Sequence, residues 1–233
     1  MRVQFCGVRG STAAPGSAFA RYGGHTSCVA LAHDGEAPSL VLDAGTGLRR
    51  LSTDLAPAPF RGSILLGHLH WDHTQGLPFF AAGDRPDAEV TVMIPAQGDA
   101  EATLARAMSP PHFPITPGEL RGTWRFAAIE EGDHHIEGFV VTALEIPHKG
   151  GRTFGYRVSD ATATVAYLSD HWPLARGDGP AGLGEYHAGA RQLADGVDLL
   201  IHDGQYTTEE LGPRRHFGHS AIDYAVGRPT SSM

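Results

Sequence analysis

In the stretch HLHWDHTQG, His68 to Gly76, three imidazoles and a carboxylate fall within six residues, directly after the apolar run SILLG at Ser63–Gly67. Packed this closely, such groups either desolvate one another or share a cation. Neutral imidazole suits zinc, and a carboxylate completes a harder site. An HxHxDH pattern arises by accident in about 0.3% of chains with this much His and Asp, so a metal reading outweighs a hydrogen-bonded polar turn. In extended backbone, residues i, i+2 and i+4 share a face. His68, His70 and Asp72 are therefore expected to point together, and His73 to join them only if the chain turns at TQGLP. Two imidazoles on one side of that turn and an Asp/His pair on the other can serve two neighbouring cations. Trp71 is expected to pack.

Further ligands must come from elsewhere in the chain. His148 ends the strand-like ALEIPHKGG, and Asp170 ends TVAYLSDHW. A carboxylate has two oxygens and can bridge two cations, which the neighbouring His171 cannot. His219, in FGHSA, opens a helical stretch and fits a ligand, a proton donor or a helix-terminal residue. Asp43 and the glycines of LDAGTG are explained more simply by a tight strand-to-helix turn than by a phosphate cradle. His112, His134 and His135 read as surface loop residues, and Arg214-Arg215 as a solvated pair.

The elements that must position these residues are legible as short apolar runs bounded by Gly, Pro and Asp. Strands are expected at Val3–Val8, Cys28–His33, Ser39–Asp43, Ser63–Leu69, Val90–Ile94, Trp124–Ile129, Phe139–Ile146, Thr153–Val158, Thr164–Ser169 and Val197–His202. Helical patterns fall at Gly47–Leu55, Ala100–Met108, Glu185–Ala194 and Ser220–Val226. Adjacent strand pairs argue for antiparallel pieces and interleaved helices for parallel ones, so the class is a mixed α/β sandwich. The Pro-rich tract PPHFPITP, 110–117, is long enough to form a rim or lid over a site.

Bulk properties narrow the function classes. The 233 residues, 41% hydrophobic and 19% charged, suit a single globular domain spanning 1–233. The opening MRVQFCGVRGS lacks the apolar core of a signal peptide, and no run is long enough for a membrane span. Two cysteines, Cys6 and Cys28, are too few for a disulfide framework and read as buried thiols in a reducing, cytoplasmic setting. A net charge of −8 and one lysine, Lys149, disfavour nucleic acid and other large polyanions as partners. The 14 histidines fit metal binding.

Together, HLHWDH, His148, Asp170 and His219 resemble the metallo-β-lactamase fold superfamily. The segments GVRGS (Gly7–Ser11), RYGGHTSCV (Arg21–Val29), LDAGTG (Leu42–Gly47), QGLPFF and the GG…FGYR run at Gly150–Arg157 resemble its phosphodiesterase branch, which includes ribonuclease Z and small phosphodiesterases. The resemblance implies a four-layer αββα sandwich of two mixed β-sheets. It implies that His68, His70 and His148 hold one metal, that Asp72 and His73 hold the other, and that Asp170 bridges. An arginine in place of His73 would suggest a true β-lactamase, and an acidic residue in place of His70 a di-iron flavoprotein. Neither is present, so two divalent ions are implied, zinc first, with manganese or iron as substitutes. His202-Asp203 resembles the family's acidic motif, with Asp for the more usual Glu, and supports His219 as a proton shuttle. YGGH at His25 replaces the family's YGGN.

The same resemblance implies a further strand with a histidine ligand after the His-Ser segment. Here the chain runs out at AIDYAVGRPTSSM, so the domain reads as shortened by its C-terminal strand, with the second metal short of a ligand unless His219, a water or a partner chain fills it. A sheet left open in this way could bury its edge in a homodimer, though the sequence does not fix the oligomeric state. By resemblance, the chemistry is metal-bound hydroxide attack on phosphorus, with Asp72 as orienting group or base and His219 as acid. Only 21 positions, 149 through 169, separate His148 from Asp170, too few for the RNA-binding arm of ribonuclease Z. The expected substrate is a small phosphodiester or cyclic nucleotide. The alternatives are a thioester or lactone hydrolase of the same superfamily, or a non-catalytic metal-binding or sensing protein.

Overall fold

A computed structural model describes residues 1–179 and 181–227. The chain divides into two compact units, Met1–Glu130 and Glu131–Met233. The expected loss of a C-terminal strand concerns 228–233, which lie outside the described residues.

The first unit is built on a six-stranded mixed sheet. Its strands are β1 (Arg2–Gly7), β2 (Cys28–Ala32), β3 (Leu40–Leu42), β4 (Arg61–Leu65), β5 (Glu89–Pro95) and β6 (Thr123–Ile129), and their spatial order follows the chain. β1, β2 and β3 pair antiparallel, whereas β3 through β6 run parallel. Every residue of β2 and β3 is buried, while β5 alternates, as expected for strands covered on two faces and one. Helix α1 (Gly47–Leu55) lies where the spacing predicts it and buries Leu48 and Leu51. Their core includes Val41, Ile64, Leu66, Phe60 and Phe80. Cys6 and Cys28 are free and buried, as expected.

A short helix, α2 (Trp71–Thr74), follows the ligand motif. Helix α3 (Ala100–Ala105) is three residues shorter than the pattern suggests; the Asp99 carboxylate caps it by accepting from Ala102 N at 2.8 Å.

The second unit carries a five-stranded mixed sheet. Its strands are β7 (Gly132–Ile136), β8 (Phe139–Glu145), β9 (Phe154–Ser159), β10 (Thr164–Leu168) and β11 (Leu199–His202), in the order β11-β10-β9-β8-β7. Only β10 and β11 pair parallel. Its helices are α4 (Ala188–Ala194), α5 (Thr208–Arg214) and α6 (Ile222–Val226). Ala190 and Leu193 of α4 pack on Ile146, Ala166 and Leu168.

Two elements differ from expectation here. His134 and His135 sit in edge strand β7, not in a loop. α5, in a segment with no helical pattern, starts from a reciprocal Thr207/Glu210 capping box and tolerates Pro213 near its end. The fold class stands as read: an α/β chain with two mixed sheets and flanking helices. No helix among the described residues is long and apolar enough to cross a membrane.

Candidate metal centre

β4 ends at Leu65, three residues before His68, so the ligand segment is not the extended strand tip that alternation implied. The reason lies in Asp43, just past β3. Its backbone N–H continues the ladder to Leu65 O at 2.9 Å, and its carboxylate then accepts from Gly67 N at 2.7 Å. That capture turns the chain out of the sheet. After His70 the backbone coils into α2, with His73 N donating to His70 O at 3.0 Å and the Thr74 hydroxyl to the same carbonyl at 3.1 Å. The turn brings His73 to the other histidines: ring centroids of His68 and His73 lie 4.2 Å apart, and those of His68 and His70 4.3 Å.

Contacts fix the donor atoms within this unit. His68 Nε2 and His70 Nδ1 are 2.8 Å apart. Two ring lone pairs at that separation need a proton or a cation between them. His73 places Nδ1 2.6 Å from Asp43 Oδ2 and Nε2 3.3 Å from Asp72 Oδ2. Asp72 Oδ2 also accepts from Ser11 N at 2.6 Å, and Ser11 has φ +61. The GVRGS turn thus holds the carboxylate in place.

In the second unit, His148 follows β8 and directs Nδ1 to Gly218 O at 2.7 Å, leaving Nε2 3.3 Å from Asp170 Oδ2. Asp170 lies two residues past β10, as a strand tip should deliver it. Asp203, just past β11, accepts through Oδ2 from His171 N at 3.1 Å and from Ser220 N at 3.3 Å, and pairs with His219 Nδ1 at 3.0 Å. Burial pushes the Asp203 carboxyl up, against the pull of its hydrogen bond from His219, and the nearby Asp170 charge adds to the rise. Donor atoms of Asp170, Asp203 and His219 lie within 4.8 Å of one another. His219 Nδ1 is closer to Asp203 than to Asp170 Oδ2, which is 3.8 Å away.

These donor sets fit divalent cations. With bonds of about 2.0 Å, adjacent ligands of a tetrahedral ion lie about 3.3 Å apart. His73–Asp72 and His148–Asp170 both have that separation. In both histidines the far ring nitrogen is held by an oxygen acceptor, the pattern that orients metal-bound imidazole.

Asp43 does more than close the strand-to-helix turn expected of it. It is no phosphate cradle but the carboxylate that orients His73. Only its place at the end of LVLDAG hinted at a special backbone, and it does adopt φ +62. Trp71 does not pack: it is 75% exposed. Arg214 and Arg215 are both engaged, Arg214 over the Tyr206 ring and Arg215 with the Asp178 carboxylate. His25 Nδ1 lies 3.3 Å from the Thr46 hydroxyl, at the start of α1.

Comparison with known proteins agrees with this geometry. A model of the beta-lactamase superfamily domain matches residues 39–227, and the chain belongs to that family. The His/Asp donor sets suited to divalent metals accord with that membership. The chain is similar to ribonuclease Z of Salinibacter ruber, 24% identical over 87% of this chain and 74% of that protein. A shorter match, 30% identical over 43% of this chain and 32% of the relative, is to ribonuclease Z of Staphylococcus carnosus. Among solved structures, the metallo-beta-lactamase fold protein YhfI from Bacillus subtilis superposes with a TM-score of 0.67 at 18% identity, covering 94% of this chain and 76% of that one. A diphosphatase from the PhnP family gives 0.60 at 16% identity, covering 87% and 67%.

Proposed function

We propose that the protein is a binuclear metal-dependent phosphodiesterase acting on a small phosphodiester or cyclic nucleotide. His68, His70 and His148 would hold one divalent ion, Asp72 and His73 the other, with Asp170 bridging; zinc is the metal the imidazole-rich set favours. One observation carries this reading. His73 and His148 each turn one ring nitrogen to an oxygen acceptor and set the other 3.3 Å from a carboxylate oxygen.

Two such ions supply charge for the phosphoryl oxygens and acidify water. The chain's own residues do the rest. Asp72, held by Ser11 N, orients the attacking water and accepts its proton. His219, with Nδ1 engaged by Asp203, has Nε2 to carry a proton to the departing alkoxide oxygen. The 21 positions between His148 and Asp170 are taken up largely by β9 and β10, which leaves no inserted arm for a large RNA. The net charge of −8 points the same way.

The test is metal content of the purified protein by elemental analysis, alongside hydrolysis of bis-p-nitrophenyl phosphate, 2′,3′-cyclic AMP, a thioester, a lactone and a structured RNA. About two metals per chain with turnover of the small diesters is the expected result. Turnover of the thioester or lactone alone would reassign the bond, and preference for the RNA would reassign the substrate. One metal or none, with no turnover on adding zinc or manganese, would overturn the enzyme reading.

A further inference from the structure

Beside the ligand segment of the first unit lies a cavity of about 300 Å³. Leu69 and Trp71, which alternate with His68, His70 and Asp72 along the chain, form part of its wall, and Phe79, Met108 and Phe113 form much of the rest. Phe113 belongs to the Pro-rich tract 110–117, which thus serves as a rim. Trp71 and Phe79 are 75% and 57% exposed. Phe79 meets Phe113 edge to face, with centroids 5.8 Å apart. Exposed aromatic faces lining one cavity beside the His/Asp segment form a contiguous apolar surface of the kind that receives ligands.

We propose that this cavity is the subsite for a planar aromatic ring, a nucleobase or an aryl ester group, carried by the phosphodiester substrate. The inference deepens the phosphodiesterase reading and rests on it. Continuity of the chain supports it first. Leu69 and Trp71 are immediate chain neighbours of His68, His70 and Asp72, so the cavity wall and the proposed ligands lie on one short segment. The lining supports it second. No lysine or arginine lines the cavity, so a phosphate gains nothing there, whereas Trp71 and Phe79 present flat faces for stacking. Thr74, Gln75, Thr103 and His112 add the few polar groups that ring edges require.

The experiment is equilibrium binding to the metal-loaded full chain, by calorimetry, of adenosine 5′-monophosphate, p-nitrophenyl phosphate and ribose 5-phosphate. All three share a phosphate monoester; only the first two carry a ring. The ring-bearing probes are expected to bind about 10-fold more tightly than ribose 5-phosphate. That ratio should fall to about 1 in Trp71→Ala and in Phe79→Ala, and should be largely restored in Trp71→Phe. The larger of the two ring advantages tells a nucleobase from an aryl group. Equal affinities in the wild type, or a ratio unchanged in both alanine variants, would overturn the subsite. Because both side chains are exposed, the variants keep their core, which an unchanged Tm verifies. Hydrolysis of bis-p-nitrophenyl phosphate by the same preparation separates the two claims. Turnover without ring preference removes the subsite alone, and ring preference without turnover removes the phosphodiesterase reading alone.

Discussion

The Asp43 carboxylate lies 2.6 Å from His73 Nδ1, with both side chains shielded from water. The same oxygen accepts from the Ser27 hydroxyl at 3.2 Å, while Oδ1 accepts from Gly67 N. One buried group therefore sets the orientation of a proposed ligand, the exit of the chain from β4 and the link back to β2. Its positive φ lets the side chain turn back toward the loops instead of following the strand's alternation.

Asp43→Asn keeps the shape but removes the anionic partner of His73 Nδ1. Metal affinity should fall about 10- to 100-fold, read by competition with a chromophoric chelator. Affinity equal to wild type would mean that His73 needs no anionic partner, and would leave Asp43 as a purely structural turn residue.

Asp72 accepts Ser11 N at 2.6 Å and stands 3.3 Å from His73 Nε2. Truncation to alanine removes both the proton acceptor and a proposed ligand. Turnover of bis-p-nitrophenyl phosphate by Asp72→Ala should drop to background while the far-UV circular dichroism stays native. Undiminished turnover would show the proposed chemistry to be wrong.

His219 and Asp203 should act as a unit, since the Asp203 carboxylate is paired with His219 Nδ1 at 3.0 Å. In His219→Ala, diesters with poor alkoxide leaving groups should slow by about 10²-fold or more, and activated nitrophenyl esters much less. Asp203→Asn should give the same ordering with smaller losses. A uniform loss across leaving groups, accompanied by lost metal, would instead identify His219 as a ligand.

The sequence points to candidate site residues better than to their geometry. Residue type and spacing single out His68, His70, Asp72 and His73, while position at strand ends or a helix start and family resemblance add His148, Asp170 and His219. How they are held was hidden, because the holding groups are distant in the chain: Asp43 lies 30 positions from His73 and Gly218 lies 70 from His148. Extended-chain alternation fails past Leu65, where the Asp43 carboxylate accepts from Gly67 N, a contact that no local pattern encodes. β7 escaped notice because GDHHI is an edge strand without an apolar face, and its pairing with β8 supplies what its own composition lacks. Trp71 was expected to pack on the strength of residue type, yet exposure depends on what lies across from it. By contrast, α1 has the expected bounds, because two buried leucines at helical spacing leave little choice.

Gly76 provides a test of how far the ligand turn depends on close backbone approach. A Cβ built there would lie 2.0 Å from Gly45 O and 2.7 Å from Ala44 O. Gly76 N donates to Ala44 O at 2.8 Å, and Ala44 N in turn donates to His73 O at 2.8 Å. The constraint is therefore space, since φ at Gly76 is an ordinary −79°. Gly76→Ala must push the end of α2 away from the LDAGTG turn and carry His73 with it. Stability should fall by about 1–3 kcal/mol, the usual cost of overpacking, with metal affinity falling as well. Chemical denaturation with and without zinc reads both effects: the loss should be larger with metal than with a chelator, because the displaced His73 also weakens binding to the folded state. An equal loss in both conditions would mean that the turn can shift without moving the ligand.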